Sequence, residues 1–165
     1  SQIVGIDLSE EMLKVAQQKI ERFSIKPNIR LLCEDAENLS LSSNTFDIIT
    51  ISFGIRNFEN IVNGLSECHR ILKEVGSLFI MEFSTPKHKV FNVLYRIYSK
   101  HILPLIGQVI SNDDKAYKYL PESIVEFNRE HEFTELLLNN GFDSCISISL
   151  SNGIAHIYIG VKSKM

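Results

Sequence analysis

The sequence predicts an α/β fold with a mostly parallel sheet and a C-terminal antiparallel hairpin. Three observations lead there. Short apolar runs alternate with segments whose apolar residues recur at helical spacing. Phe46–Ser52 and Leu78–Phe83 read as buried strands, the former apolar on both faces, as in parallel sheets covered by helices above and below. Ser144–Leu150 and Ile154–Val161 alternate and flank Ser151-Asn152-Gly153, which reads as a hairpin turn.

Taken in order, Ile3–Leu8 is a short strand ending in an acid. Ser9 can cap the next helix, and Glu10 and Glu11 suit its positive first turn. Leu13, Ala16, Ile20 and Phe23 give that helix one apolar face, and Pro27-Asn28 breaks it. Ile29–Cys33 is the second strand, ending at Glu34-Asp35-Ala36. Phe46–Ser52 is the central strand, after which Gly54 is expected to make a sharp turn. A helix over about 60–73 places Ile61, Leu65, Cys68 and Leu72 on one face, with Gly76 as its stop. Residues 91–110 are apolar but interrupted by Pro104 and Gly107, which predicts broken helices. Glu132–Asn140 is a further helix with Gly141 past its end.

The 165 residues suit one domain, 1–165, and the 44% hydrophobic content suffices for a buried core. A formal net charge of -3 argues against a general nucleic-acid binder. Cys33, Cys68 and Cys145 form no CxxC pair, which points to reduced thiols rather than disulfides or a zinc site. No run reaches the roughly 18 apolar residues of a membrane-spanning helix, and the N-terminal residues lack the pattern of a secretory signal. His69 reads as structural; His88, His101, His131 and His156 lack metal-site spacing, so no metal is expected.

Candidate chemistry gathers at strand ends. Asp7 closes the first strand, where an acid in an open α/β sheet can accept hydrogen bonds from ribose hydroxyls; the same acid could simply cap the helix. Asp35-Ala36 follows the next strand, where a carboxylate can take an adenine amine while the neighbouring N–H meets a ring nitrogen. Ser52-Phe53-Gly54-Ile55-Arg56-Asn57 lies at the end of the central strand, beside the expected crevice.

Ile3–Leu13 resembles the second motif of class I S-adenosylmethionine-dependent methyltransferases, and Glu34-Asp35-Ala36-Glu37 with Leu39 resembles their third. Phe46–Asn57, Met81-Glu82-Phe83-Ser84-Thr85-Pro86 and Tyr117-Lys118-Tyr119-Leu120-Pro121-Glu122-Ser123-Ile124 are similar to the ubiquinone and menaquinone biosynthesis C-methyltransferases. The likeness runs from Val4 to about Lys162. It implies a Rossmann-like methyltransferase sheet and methylation, by S-adenosylmethionine, of a ring carbon of a polyprenylated benzoquinol or demethylmenaquinol. By position, Asp7 would hold the ribose, Asp35 and Ala36 the adenine, Met12 the adenine face and Ser52 the methionine side of the cofactor. Arg56 would stabilise the phenolate and Asn57 orient a hydroxyl, with Tyr117 and Tyr119 bordering the ring. Residues 87–120 would form a helical lid or substrate region.

The same resemblance admits peripheral membrane contact and a homodimer or quinone-biosynthesis complex. It suits the bacterial cytoplasm, peripheral at the inner membrane, or the mitochondrial matrix. One departure is large: the family's first strand and its Gly-rich loop have no counterpart before Asp7. The expectation is therefore an open edge between the strands ending at Asp7 and Ser52, and either a natural protein that continues upstream or a chain not competent alone. A nucleotide-dependent dehydrogenase, or a non-catalytic partner subunit, stands as the alternative.

Overall fold

A computed structural model describes residues 2–23, 28–84, 127 and 133–164. Strand β1, Gln2–Asp7, leads into helix α1, Glu10–Arg22, through the expected cap: the Ser9 hydroxyl accepts the Met12 N–H at 3.3 Å. Leu13, Ala16 and Ile20 form the half-buried face of α1, but no residue of this helix is fully buried. Strand β2, Asn28–Cys33, pairs parallel with β1, Asp7 standing opposite Cys33 at the carboxyl ends.

The rest of the described chain builds a second sheet. Strand β3, Phe46–Ser52, is followed by helix α2, Ile61–Ile71, and strand β4, Leu72–Phe83. Helix α3, Phe133–Asn139, precedes strands β5, Ser144–Leu150, and β6, Ala155–Val161. The sheet order is β3-β4-β6-β5: β3 and β4 run parallel, and β6 is antiparallel to both β4 and β5. Among the described residues β1 and β3 each pair on one edge alone, as expected of the strands ending at Asp7 and Ser52.

The core lies on one face of the larger sheet. Leu78 and Ile80 of β4 alternate inward against Leu65 and Cys68 of α2 and Phe133 and Leu137 of α3. Burial pushes the Cys68 thiol up to about 12, whereas Cys33 is exposed. Since the thiolate is the reactive form, a maleimide should label Cys33 in the native protein and leave Cys68 untouched until unfolding. Peptide mass spectrometry of timed samples checks this; early labelling of Cys68 would show that α2 is not seated as described.

Three expectations about this region need correction. Gly76 does not stop α2. The helix ends at Ile71 because Leu72 already pairs with Phe46; the ladder then bulges before resuming at Ile48 opposite Ser77. Gly76 sits within β4, where a Cβ would lie 2.8 Å from the Lys73 carbonyl, so close backbone approach is its role. The sharp turn after β3 is made by Phe53, with φ +56°, while Gly54 has an ordinary φ of -114°. Finally, the described residues do not cover β3 on both faces, and Ile48 is 59% exposed.

Two ends are closed by local chemistry. Gly141, at φ +91°, ends α3: its N–H donates to Leu138 and that of Phe142 to Leu137, satisfying carbonyls the helix leaves open. The buried Lys162 ammonium donates to Asn44 Oδ1 and to the His69 and Leu72 carbonyls at 2.8–3.0 Å, so three acceptors meet its three N–H donors at the C-terminal end of α2, where the helix dipole favours a cation. No described helix is long and apolar enough to cross a membrane.

Candidate active site

The carboxyl ends of β1 to β4 carry the polar groups. Asp7 Oδ1 accepts the Ser9 N–H at 2.8 Å, so the acid braces the turn into α1 with one oxygen. A carboxylate has acceptor room beyond one such bond. Met12 follows in the first turn of α1, 57% exposed, and Cys33 at the end of β2 donates its thiol to the Leu8 carbonyl at 3.5 Å.

The loop after β2 is tied down along its length. Asp35 Oδ1 accepts the Glu37 N–H at 2.9 Å, which folds the chain tightly around Ala36. Both oxygens of Glu34 accept from Ser40, and these bonds hold the Glu34 carboxyl below its ordinary range. The Glu37 carboxylate crosses to the start of α2 and accepts the Glu59 and Asn60 N–H groups at 2.7 and 2.9 Å. Glu67 takes the Leu39 N–H at 2.8 Å, and Arg70 donates to the Leu39 and Leu41 carbonyls. Asp35 and Ala36 thus sit on a loop braced by α2 and the two residues that precede it.

Ser52 ends β3 exposed, opposite Met81. The next residue, Phe53, is held in the left-handed region by its N–H bond to the Met81 carbonyl at 2.8 Å and by stacking on Phe83, ring centroids 4.2 Å apart. A bulky residue in that conformation is strained, and such strain collects at functional sites. The chain then makes a 3₁₀ turn, Ile55–Asn57, in which Ile55 is buried and Asn57 exposed.

Arg56 points inward. Its side chain is only 10% exposed and its Nη1 meets Glu82 Oε1 at 2.8 Å; Glu82 is wholly buried. The same Nη1 donates to the Phe53 carbonyl, and the guanidinium carbon lies 5.8 Å from the Phe83 ring centre. Beside this pair, the buried Ser84 hydroxyl donates to the Gly153 carbonyl at 2.6 Å and lies 2.7 Å from His156 Nδ1. Tyr158, stacked with His156, has its hydroxyl pKa pushed up by burial and by the nearby Glu82 charge.

Ser52, Arg56 and Asn57 therefore share one turn on the larger sheet. Asp7 ends a strand of the smaller sheet, Met12 lies in the first turn of α1 that follows it, and Asp35 and Ala36 stand on the loop that links the two sheets. Tyr117, Tyr119 and the 87–120 region lie outside the described residues. Among the described residues, no group of three His, Cys, Asp or Glu side chains is placed to hold a metal ion. Glu82 and Glu37 were not singled out as site residues from sequence. The available signal for Glu82 was a charge set in the apolar run Leu78–Phe83.

Solved structures share this architecture. A S-adenosylmethionine-dependent methyltransferase from Aquifex aeolicus aligns with a TM-score of 0.67 at 17% identity, over 97% of this chain and 68% of that one, which shows the fold. Among curated proteins, the demethylmenaquinone methyltransferase of Porphyromonas gingivalis is 37% identical over 98% of this chain and 66% of its own length. The mitochondrial 2-methoxy-6-polyprenyl-1,4-benzoquinol methylase of Bos taurus is 38% identical over 98% of this chain and 49% of its own. The chain thus spans about half to two thirds of these relatives. With residues 1–162 matching the family model as well, the chain belongs to the ubiE/COQ5 methyltransferase family.

Proposed function

We infer that the complete protein transfers the methyl group of S-adenosylmethionine to a ring carbon of a polyprenylated benzoquinol or demethylmenaquinol. The observation that carries this reading is the turn after β3, where the strained Phe53 and the buried Arg56 occur in a chain 37–38% identical to quinone methyltransferases.

The residues present fit the cofactor. Asp7 and Asp35 are acceptor-bearing side chains at adjacent strand ends, suited to ribose hydroxyls and an adenine amine. Met12, exposed in the first turn of α1, offers a polarizable apolar surface for the adenine face, and Ser52 a hydroxyl at the end of β3. When bound, S-adenosylmethionine supplies an already activated methyl group. The protein's task is then to align the acceptor and to stabilise the ring oxygen as it loses its proton. Arg56 and Asn57 are assigned to that oxygen, Arg56 through directed N–H donors, since Glu82 balances its charge. A guanidinium offers donors and no acceptor, so Arg56 is not assigned as the base. Tyr117 and Tyr119 are assigned to the ring border, and residues 87–120 to the lid over the acceptor. The polyprenyl tail implies peripheral contact with a bilayer, in the bacterial cytoplasm or the mitochondrial matrix. A homodimer or a quinone-biosynthesis complex is the assembly that accompanies this reading.

Asp7→Ala in the full-length protein should weaken S-adenosylmethionine binding while leaving the fold intact. Loss of a charge-assisted hydrogen bond contributes about 1.5–3 kcal/mol, or roughly 10- to 150-fold in affinity. Titration calorimetry on variant protein with native circular dichroism decides; unchanged affinity removes Asp7 from the site, and preferential binding of a nicotinamide dinucleotide by the parent overturns the reading.

A further inference from the structure

We propose that Glu82 is a positioning residue for methyl transfer, gripping Arg56 by both its guanidinium and its main chain. The proposal rests on the assignment of Arg56 to the acceptor oxygen. Along β4, alternate residues Leu78, Ile80 and Glu82 are completely buried. An apolar side chain would satisfy the third of these positions, and a carboxylate there is expensive to desolvate.

Its hydrogen bonds show what it does. Oε1 accepts from Arg56 Nη1 and from its own neighbour Phe83 N–H, each at 2.8 Å, and Oε2 accepts the Arg56 main-chain N–H at 3.3 Å. One carboxylate therefore fixes the orientation of the guanidinium, the backbone of the 3₁₀ turn and the end of β4. The second hold on Arg56 is the Phe53 carbonyl, on the residue whose φ is +56°. Among the described residues the buried Arg56 Nε finds no hydrogen-bond acceptor, so the side chain is held in a pose that its own hydrogen bonding there does not optimise. An ion pair serving stability alone has no need of that pose. A group that must present N–H donors in one direction does, because a misplacement of about 1 Å can cost roughly 100-fold in rate.

The test uses full-length protein and two independent readouts. Nitrogen-edited NMR of the arginine side chains should show an Arg56 Nε–H signal that exchanges slowly in the parent, assigned by its loss in Arg56→Lys, and is averaged or lost in Glu82→Gln. Single-turnover rates at saturating cofactor and quinol should fall about 100-fold in Glu82→Gln, with S-adenosylmethionine affinity unchanged. In an Arg56→Met background, Glu82→Gln should cost no further rate. A fast-exchanging Arg56 Nε–H in the parent overturns the proposal even if the Gln variant does not fold. So does a rate loss that multiplies in the double variant. A parent that binds S-adenosylmethionine but methylates no quinol would overturn the assigned function instead, and the NMR readout would still decide whether Glu82 fixes Arg56.

Discussion

Arg56→Met is expected to lower the unfolding free energy by about 3–5 kcal/mol and to abolish most methyl transfer. The stability loss comes from Glu82. Removing the guanidinium leaves a wholly buried carboxylate whose remaining donors, among the described residues, are the Phe83 and residue-56 main-chain N–H groups, and breaking a buried pair from one side costs this much. The companion variant separates the two effects. Arg56→Met with Glu82→Met removes both charges and fills the space with apolar atoms, which is commonly neutral or stabilising. It should therefore recover most of the lost stability and none of the activity. Urea unfolding followed by fluorescence or circular dichroism gives the first quantity and single-turnover kinetics the second. Recovery of activity by the double variant would show that Arg56 serves the fold alone.

The second large effect is expected at Leu65→Ala. Leu65 is completely buried on α2 within the same cluster as Ile55, Leu78, Ile80 and Leu137, so truncation leaves a cavity among residues that β4 and α3 hold in place. Such truncations cost about 2–5 kcal/mol, with the larger values where the site cannot collapse. Ile55 opens the 3₁₀ turn that carries Arg56. The variant should thus lose rate as well as stability, whereas a cavity remote from that turn should cost stability only. Equilibrium unfolding beside saturated turnover measures both; a loss below about 1 kcal/mol would place Leu65 outside a packed core.

How far the sequence could be read depended on whether the cause was local. Ser9 caps α1 as expected, because a hydroxyl three residues before an N–H needs nothing from the rest of the chain. Gly141 closes α3 for the same reason. The hairpin β5–β6 was legible from alternation around Ser151-Asn152-Gly153, where Ser151 and Asn152 also adopt positive φ. The turn after β3 was not, since its strained residue is selected from a distance: the Met81 carbonyl and the Phe83 ring hold Phe53, which leaves Gly54 in an ordinary conformation. The end of α2 was misplaced because the pairing of Leu72 with Phe46, 26 positions earlier, begins the strand before Gly76 is reached. For the candidate site, strand-end placement is what points to Asp7, Asp35 and Ser52. The partner of Arg56 was hidden, because Glu82 reaches it across the β3–β4 ladder after a bulge whose length no local pattern reports.

The destination of the methyl group tests the proposed reaction most directly. Full-length protein, S-adenosylmethionine carrying a ¹³C-methyl, and short-tailed demethylmenaquinol and benzoquinol acceptors would be incubated anaerobically, and the products resolved by mass spectrometry and carbon NMR. The expected result is one labelled methyl on a ring carbon of at least one acceptor. A label found on oxygen, or left entirely on the cofactor with both acceptors, would contradict it.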